Sequence, residues 1–535
     1  MKAHEPSAKP AGPSDLLPAI FLLSLASITL EIALVRIFSI SQWNHLTFMV
    51  ISIALLGFAA GGTLLCVQQV RSTRRYSQES LDPTLQRLVL LFALATILAL
   101  IVLLLMPLDY FRLPLEPVQA GYLLVAFVLL ALPFFCTGLA IAIAYAYQPQ
   151  QSGRIYFTTM SGSAAGALVP FPFLPLVGET GLVLAAALLP IGSLCLNRLL
   201  RGPALQIPTR SAFQYPAWLN MLALCIIITS AGLLFANRSG VTLKPSPYKA
   251  LSQHLMLPQT SISRTFHSMR GRYDVLHSPF VRFAPGLSLK YSGTLPRQTA
   301  FYKDADNQIV LYSEPPSQTH RYVESTLAFV GYRLVSESAH VLVILNNGGA
   351  SLPCALGAKP DRLNLVTPAP IAARIIERHY GLPVISQNPR VYLKRTPKRF
   401  DVIHLDNWGS SLPGASALDN DNTLTIEAFT LYLEHLKPDG ILLITRKLLL
   451  PPADSLRLWA TAYEGLKASG RRAPASHIAV LRNWDTYLLL VSPTPLVSTA
   501  GLEKIARQLN FDVVYLPVMA AQQPNRYNVF KAPFH

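Results

Sequence analysis

The residues best placed to hold a ligand are Asn347, Gly348 and Gly349. They follow His340-Val-Leu-Val-Ile-Leu345, an apolar run that reads as a buried strand, and they lead through Ala350 and Ser351 into a second apolar stretch. A strand, a glycine turn and a helix start together present backbone N–H groups to the phosphate or carboxylate end of a nucleotide-type cofactor. In that arrangement the next strand ends in an acidic residue that binds ribose hydroxyls. Here the next strand, Arg362-Leu-Asn-Leu-Val366, ends in Thr367-Pro368. The scaffold of a nucleotide site is written in the chain, but its ribose carboxylate is replaced by Thr367.

Three more polar residues stand in or beside apolar runs: Glu31, Arg36 and His45. An intramembrane carboxylate is costly and often marks function. Glu31 and Arg36 can equally hydrogen-bond to neighbouring helices, or Arg36 can snorkel to the interface. His45, next to Trp43, suits a membrane interface and could otherwise serve as a ligand or proton carrier. Cys66, Cys136, Cys195, Cys225 and Cys354 show no metal-ligand spacing, so no metal is expected, and Cys354 alone lies in the polar half of the chain.

These groups are positioned by two very different halves. The 535 residues are 51% hydrophobic and only 14% charged, too few charges for an ordinary soluble protein. Residues 1–236 hold 12 Lys and Arg with 8 Asp and Glu, and the rest of the charge lies in residues 237–535. Seven apolar segments are long enough to cross a bilayer, at about 16–40, 46–68, 87–107, 120–147, 155–171, 179–198 and 216–236. The fifth and sixth are joined by Pro170-Phe-Pro-Phe-Leu-Pro175 and could instead form a re-entrant pair. Residues 1–15 read as a polar tail and the first apolar run as a retained span, since no small-residue cleavage site follows it.

Alternate loops carry Lys2, Lys9, Arg71, Arg74, Arg75, Arg87, Arg154, Arg198, Arg201 and Arg210, against only Arg112 on the opposite side. Positive residues stay cytoplasmic. The expectation is a multi-pass protein of the bacterial inner membrane, with the N-terminus cytoplasmic and, after seven spans, the C-terminal domain periplasmic. Arg238, Lys244 and Lys249, close to the last span, oppose that orientation. Gly57-Phe-Ala-Ala-Gly61-Gly62 and Gly162-Ser-Ala-Ala-Gly166 form small-residue faces that let helices approach closely, within the chain or with other membrane proteins or a second copy. The lipid bilayer is the expected partner. The excess of basic residues is scattered, so no nucleic acid is expected.

Residues 237–318 read as a linker and small β subdomain, with strands at 271–276 and 282–291, the latter broken by Pro285-Gly286. From 319 to 535, helix and strand alternate. Helices are expected at 320–336, from 351, and at 370–380, 424–436, 454–469 and 500–509. Strands are expected at 340–345, 362–366, 401–405, 441–445, 477–481 and 486–491, with Lys437-Pro-Asp-Gly440 as a turn. Such alternation implies a mostly parallel sheet with helices on both faces, a Rossmann-like α/β domain.

The chain resembles the membrane-fused spermidine-synthase-like proteins. The likeness rests on Leu30-Glu31-Ile-Ala-Leu-Val-Arg36, Trp43-Asn-His45, Ile51-Ser-Ile-Ala-Leu-Leu-Gly57 and Gly153-Arg-Ile-Tyr156. In the polar half it rests on residues 278–289, Phe400-Asp-Val-Ile-His-Leu-Asp406, Leu424-Thr-Ile-Glu-Ala-Phe429 and Leu436-Lys-Pro-Asp-Gly-Ile441. The resemblance implies a multi-span helical membrane domain, then a small β subdomain, then a methyltransferase-type Rossmann-like domain for S-adenosylmethionine or its decarboxylated form. It implies that Asp406 occupies the position of an acid that accepts a proton or hydrogen bond from an attacking amine, and that Tyr332 lies on the substrate side. The active enzymes carry a second Asp where this chain has Gly409, and a polyamine pocket needs more carboxylates than Asp406; Asp419, Asp421 and Glu427 are nearby in sequence. Asp406 is open to a second reading, as a cap or turn residue after its strand.

The expected function is therefore a membrane protein with a degenerate cofactor site and a non-catalytic or repurposed binding role, with no cofactor firmly assigned. Two alternatives stand beside it. One is an active aminopropyltransferase or methyltransferase using Asp406; the other is small-molecule transport or sensing through the membrane domain.

Overall fold

The computed structural model describes residues 16–42, 47–71, 81–193, 243–313, 321–336, 338–347, 351–407, 421–449 and 452–517, with 226, 230 and 232. Contacts divide the chain into two compact units, Met1–Ser246 with His267–Met269, and Pro247–Phe266 with Arg270–His535.

The first unit is helical. Its helices are α1 (Leu16–Ser41), α2 (Thr47–Arg71), α3 (Leu81–Leu105), α4 (Pro117–Tyr147), α5 (Ser152–Leu168) and α6 (Pro170–Leu188). Among the described residues, five helices are long and apolar enough to cross a membrane: Leu16–Ser41, Phe48–Val70, Thr84–Leu105, Pro117–Tyr147 and Pro170–Ser193. The fifth expected segment is α5, 17 residues long. Pro170–Pro175, expected to join two spans, is instead the start of α6. Proline at a first turn lacks an N–H that would have no helical partner anyway, so it opens a helix more readily than it connects two. Most of the seventh expected segment lies outside the described residues.

Small residues draw these helices together. A Cβ on Gly61 would sit 2.5 Å from Leu139 N, and one on Gly166 would sit 2.3 Å from the carbonyl oxygen of Leu25. The two small-residue faces are thus used within the chain, α2 against α4 and α5 against α1. Thr29 Oγ1 adds a hydrogen bond to the Gly166 carbonyl at 3.1 Å.

The second unit begins with a short helix, α7 (Ala250–Leu255), and a four-stranded antiparallel sheet, β1 (Ser261–Phe266), β2 (Tyr273–His277), β3 (Gln298–Lys303) and β4 (Asn307–Tyr312). The expected strand at 282–291 is not formed; Leu287 makes only an isolated bridge to Thr326. Pro285 and Gly286 break that run, and Gly286 has φ +71°.

The remaining strands are β5 (His340–Asn347), β6 (Arg362–Thr367), β7 (Val384–Ser386), β8 (Phe400–Asn407), β9 (Leu436–Lys447), β10 (Ile478–Arg482), β11 (Thr486–Val491) and β12 (Asp512–Tyr515). They form one sheet in the order β12-β10-β11-β9-β8-β5-β6-β7. The five strands from β9 to β7 run parallel, and β11, β10 and β12 each pair antiparallel with their neighbour. Alternate residues of each strand face opposite sides: Val341, Val343 and Leu345 enter one core, Leu342 and Ile344 the other. Helices α8 (Ser351–Gly357), α9 (Pro370–Tyr380) and α13 (Ala500–Leu509) cover the first side. Helices α10 (Pro389–Arg395), α11 (Ile426–His435) and α12 (Ala453–Ala468) cover the second. This is a doubly wound α/β fold, and the order reverses between β5 and β8, the place where such sheets bind ligands.

Two expectations need correction. The expected helix at 320–336 is not one continuous α-helix: among the described residues 321–323 are helical, and a 3₁₀ helix follows at Leu327–Leu334. Its Gly331 lies so close to Leu443 of β9 that a Cβ there would meet the Leu443 side chain at 2.1 Å, so contact with the sheet overrides the helical spacing. Lys437–Gly440 is not a separate turn but part of β9, taken up by a register shift between the pairs Phe400–Leu436 and Val402–Ile441.

Candidate functional site

The switch point brings the ends of β5 and β8 side by side, with Asn347 opposite Asn407 and Asp406 opposite Leu345. Gly348, Gly349 and Ala350 lie outside the described residues, as do Gly409, Asp419 and His45. The cofactor-type turn is therefore described only by its two flanks, Asn347 in the strand and Ser351 at the start of α8.

Asp406 is 1% exposed. Its Oδ2 accepts hydrogen bonds from Ser351 Oγ at 2.7 Å and from the Ser351 backbone N–H at 3.1 Å. The carboxylate thus ties the end of β8 to the first turn of α8. That satisfies a helix N–H which has no intrahelical partner, and charged acceptors make the stronger hydrogen bonds.

Thr367, in the position of the ribose acid, is 2% exposed at the end of β6. Its Oγ1 accepts from Ala369 N–H at 3.3 Å, and its carbonyl accepts from Gln387 N–H at 3.0 Å. A carboxylate offers two oxygens to a ribose diol, whereas Thr367 offers a single hydroxyl, which accepts one bond in the turn that leads into α9.

Tyr332 is buried on the sheet. Its hydroxyl lies 3.0 Å from His404 Nδ1, and His404 Nε2 lies 3.4 Å from Thr445 Oγ1. Burial lowers the His404 pKa to about 3 and raises that of Tyr332 well above its ordinary value, because both charged forms lose hydration. The chain Tyr332–His404–Thr445 is a neutral hydrogen-bond network joining the 327–334 segment to β8 and β9. It uses the hydroxyl expected on the substrate side.

Other carboxylates near the switch point are also engaged. Asp421 Oδ2 accepts from Asn407 Nδ2, and its Oδ1 accepts from the Thr423 N–H at 2.8 Å and Thr423 Oγ at 2.5 Å. Glu427 stands exposed in the first turn of α11, where negative charge favours the helix dipole; Thr425 caps that helix by accepting from Ala428 N–H at 3.3 Å.

In the helical unit, Arg36 does meet a carboxylate, that of Glu179. Arg36 Nη2 lies 3.7 Å from Glu179 Oε1, and His267 Nδ1 lies 2.7 Å from Glu179 Oε2. The sequence reading missed both partners. Glu179 lay at the edge of an apolar segment, where the same signal that singled out Glu31 was present, and His267 is 88 positions away in a polar stretch. Among the described residues no group of His, Cys, Asp and Glu could hold a metal ion.

No family model matches the chain, and no curated protein matches it. Solved structures that align with part of the chain include a spermidine synthase bound to the transition-state analogue AdoDATO, 14% identical over 48% of this chain and 80% of its own, at a TM-score of 0.30. A probable spermidine synthase from Corynebacterium glutamicum is 17% identical over 46% of this chain and 87% of its own, at a TM-score of 0.32. Human methyltransferase-like protein 13 with SAH is 17% identical over 36% and 90%, at a TM-score of 0.26. Likenesses of this size bear on neither activity nor ligand, and the fold class stands on the strand order and helix placement given above.

Proposed function

We propose that the chain is a multi-pass inner-membrane protein, spermidine-synthase-like in descent, whose Rossmann-like domain serves as a binding or scaffold module with a degenerate cofactor site. The observation that carries this reading is the engagement of Asp406 by Ser351. Two hydrogen bonds from Ser351 to one oxygen, Oδ2, give this carboxylate a structural task that needs no bound cofactor. Thr367 and Tyr332 support it, since a hydroxyl replaces the ribose carboxylate at Thr367 and the Tyr332 hydroxyl meets His404 within the fold. A periplasmic position of the domain, inferred from ten basic residues on one side of the helical segments against Arg112 on the other, supports it further, because adenosyl cofactors are made and used in the cytoplasm.

The competing reading, an aminopropyl- or methyltransferase acting through Asp406, would use Oδ1, the carboxylate oxygen that Ser351 does not hold. Calorimetry of the full-length protein in detergent with S-adenosylmethionine and with its decarboxylated form separates the two. No binding heat is expected with either. Micromolar binding that disappears in Asp406→Ala would establish the transferase reading in its place.

A further inference from the structure

Helix α6 is broken. Gly178 adopts φ +70° and ψ −177°, a conformation outside the helix, so Glu179 and Thr180 open a second half-helix within an apolar segment. Broken helices at membrane depth occur where the protein lines or fills a polar site, and such sites collect the ion- and proton-handling residues of membrane proteins. Here the break holds a cluster. Glu179 is 3% exposed, with Arg36 on one carboxylate oxygen and His267 on the other. A Cβ at Gly178 would meet His267 Cε1 at 3.0 Å, so the imidazole packs directly against the residue that breaks the helix.

The three groups are chemically unequal. Arg36 is a permanent cation, and its guanidinium cannot exchange a proton in a protein. Had the cluster served only to neutralise a buried carboxylate, Arg36 would suffice. The shorter contact, 2.7 Å, is instead to an imidazole, whose ring nitrogens can both donate and accept a proton. The His267 side chain is 26% exposed, so it connects the enclosed carboxylate to the surroundings.

We propose that Glu179 and His267 form a proton-exchange site at the break in α6, with Arg36 as the fixed charge that tunes it. The ligand is a proton. In the transfer the His267 Nδ1–H bond breaks and a Glu179 Oε2–H bond forms, so the imidazolium–carboxylate pair becomes two neutral groups and the total charge of the cluster is unchanged. Loss of the shared proton from the cluster leaves neutral His267 beside the Glu179–Arg36 pair. The elements packed against α6 carry Glu31 and Arg36 on α1, Asp82 and Arg87 on α3, and Arg154 and Tyr156 on α5. Arg36 and His267 are within ion-pair distance of Glu179.

The test is infrared difference spectroscopy of the full-length protein in lipid nanodiscs, titrated from about pH 4 to about pH 9, the range in which His and buried carboxylates change state. The expected result is a protonated-carboxyl band that titrates in the wild type and is missing in Glu179→Gln. In His267→Gln the midpoint of that band should move by about one pH unit or more, the size of a close charged neighbour's effect. A carboxyl titration spectrum that Glu179→Gln leaves unchanged, or a midpoint of the Glu179 band unchanged by His267→Gln, would each overturn the proposal. If Glu179→Gln does not fold, His267→Gln decides alone, because it leaves the carboxylate in place.

Discussion

Replacing Ser351 by Ala tests whether Asp406 is a structural clamp. The hydroxyl of Ser351 donates to Asp406 Oδ2 at 2.7 Å in a site where the carboxylate is 1% exposed. A hydrogen bond to a charged group contributes about 1.5–3 kcal/mol, so Ser351→Ala should cost about 2 kcal/mol. Asp406→Ala removes the acceptor of two bonds and leaves the Ser351 N–H and O–H without it in a closed site, so about 3–5 kcal/mol is expected. In the double variant the hydroxyl has already gone, and the combined cost should fall short of additivity by about 2 kcal/mol. Hydrogen exchange read by mass spectrometry on the full-length protein suits the measurement, since it reports opening of α8 and β8 without requiring the whole chain to unfold together. A loss of about 2 kcal/mol appears as roughly 30-fold faster exchange of the amides in both elements. Asp406→Asn keeps a carbonyl oxygen in place and should speed exchange much less. Effects of Ser351→Ala and Asp406→Ala that add to within about 0.5 kcal/mol would refute the clamp, and so would a transferase activity that Asp406→Asn abolishes while exchange stays the same.

Three further outcomes follow from the same coordinates. His404 is held neutral in the fold, with a pKa lowered to about 3 from 6.5. The unfolded chain therefore binds the extra proton first, and stability is lost as pH falls through the ordinary histidine range toward the folded value. From about pH 7 to about pH 5 this one residue should cost about 2 kcal/mol, and His404→Gln, followed by thermal unfolding at both pH values, should remove that part of the acid sensitivity. A Cβ added at Gly166 would sit 2.3 Å from the Leu25 carbonyl oxygen, whereas one at Gly62 meets nothing within 4 Å. Gly166→Ala should thus destabilise the helical unit by about 1–3 kcal/mol while Gly62→Ala is neutral or stabilising by up to about 1 kcal/mol, as read from melting temperatures in detergent. A phosphatase fused after His535 should be active, and a cytoplasm-only fluorophore in the same place dark; the opposite pair of results would move the Rossmann-like domain to the cytoplasm and remove the topological support for a degenerate site.

The sheet could be read from the chain because its strands are apolar on both faces and its helices carry conventional ends. His340–Leu345, Arg362–Val366 and Pro370–Tyr380 lie where runs of Val, Ile and Leu and a proline at a first turn place them. The strand β7, three residues long, the four-residue β12 and the seven-residue α10 carry too little periodic pattern to be found, and the 327–334 segment takes its form from Leu443 on a strand more than a hundred positions away. The site divides in the same way. That Asp406 sits at a strand end is local information; that its carboxylate is taken by Ser351, 55 positions away, is not. The same holds for Glu179, whose partners are 143 positions before it and 88 after. A polar residue in an apolar run announces that a partner must exist, because burying it alone is too costly, but only the fold says whether that partner is a helix end, as for Asp406, or a second ionisable group, as for Glu179. The two carboxylates therefore carry opposite expectations. Asp406, met by a hydroxyl and an amide that do not titrate, should reveal itself in stability, whereas Glu179, met by an imidazole, should reveal itself in proton uptake.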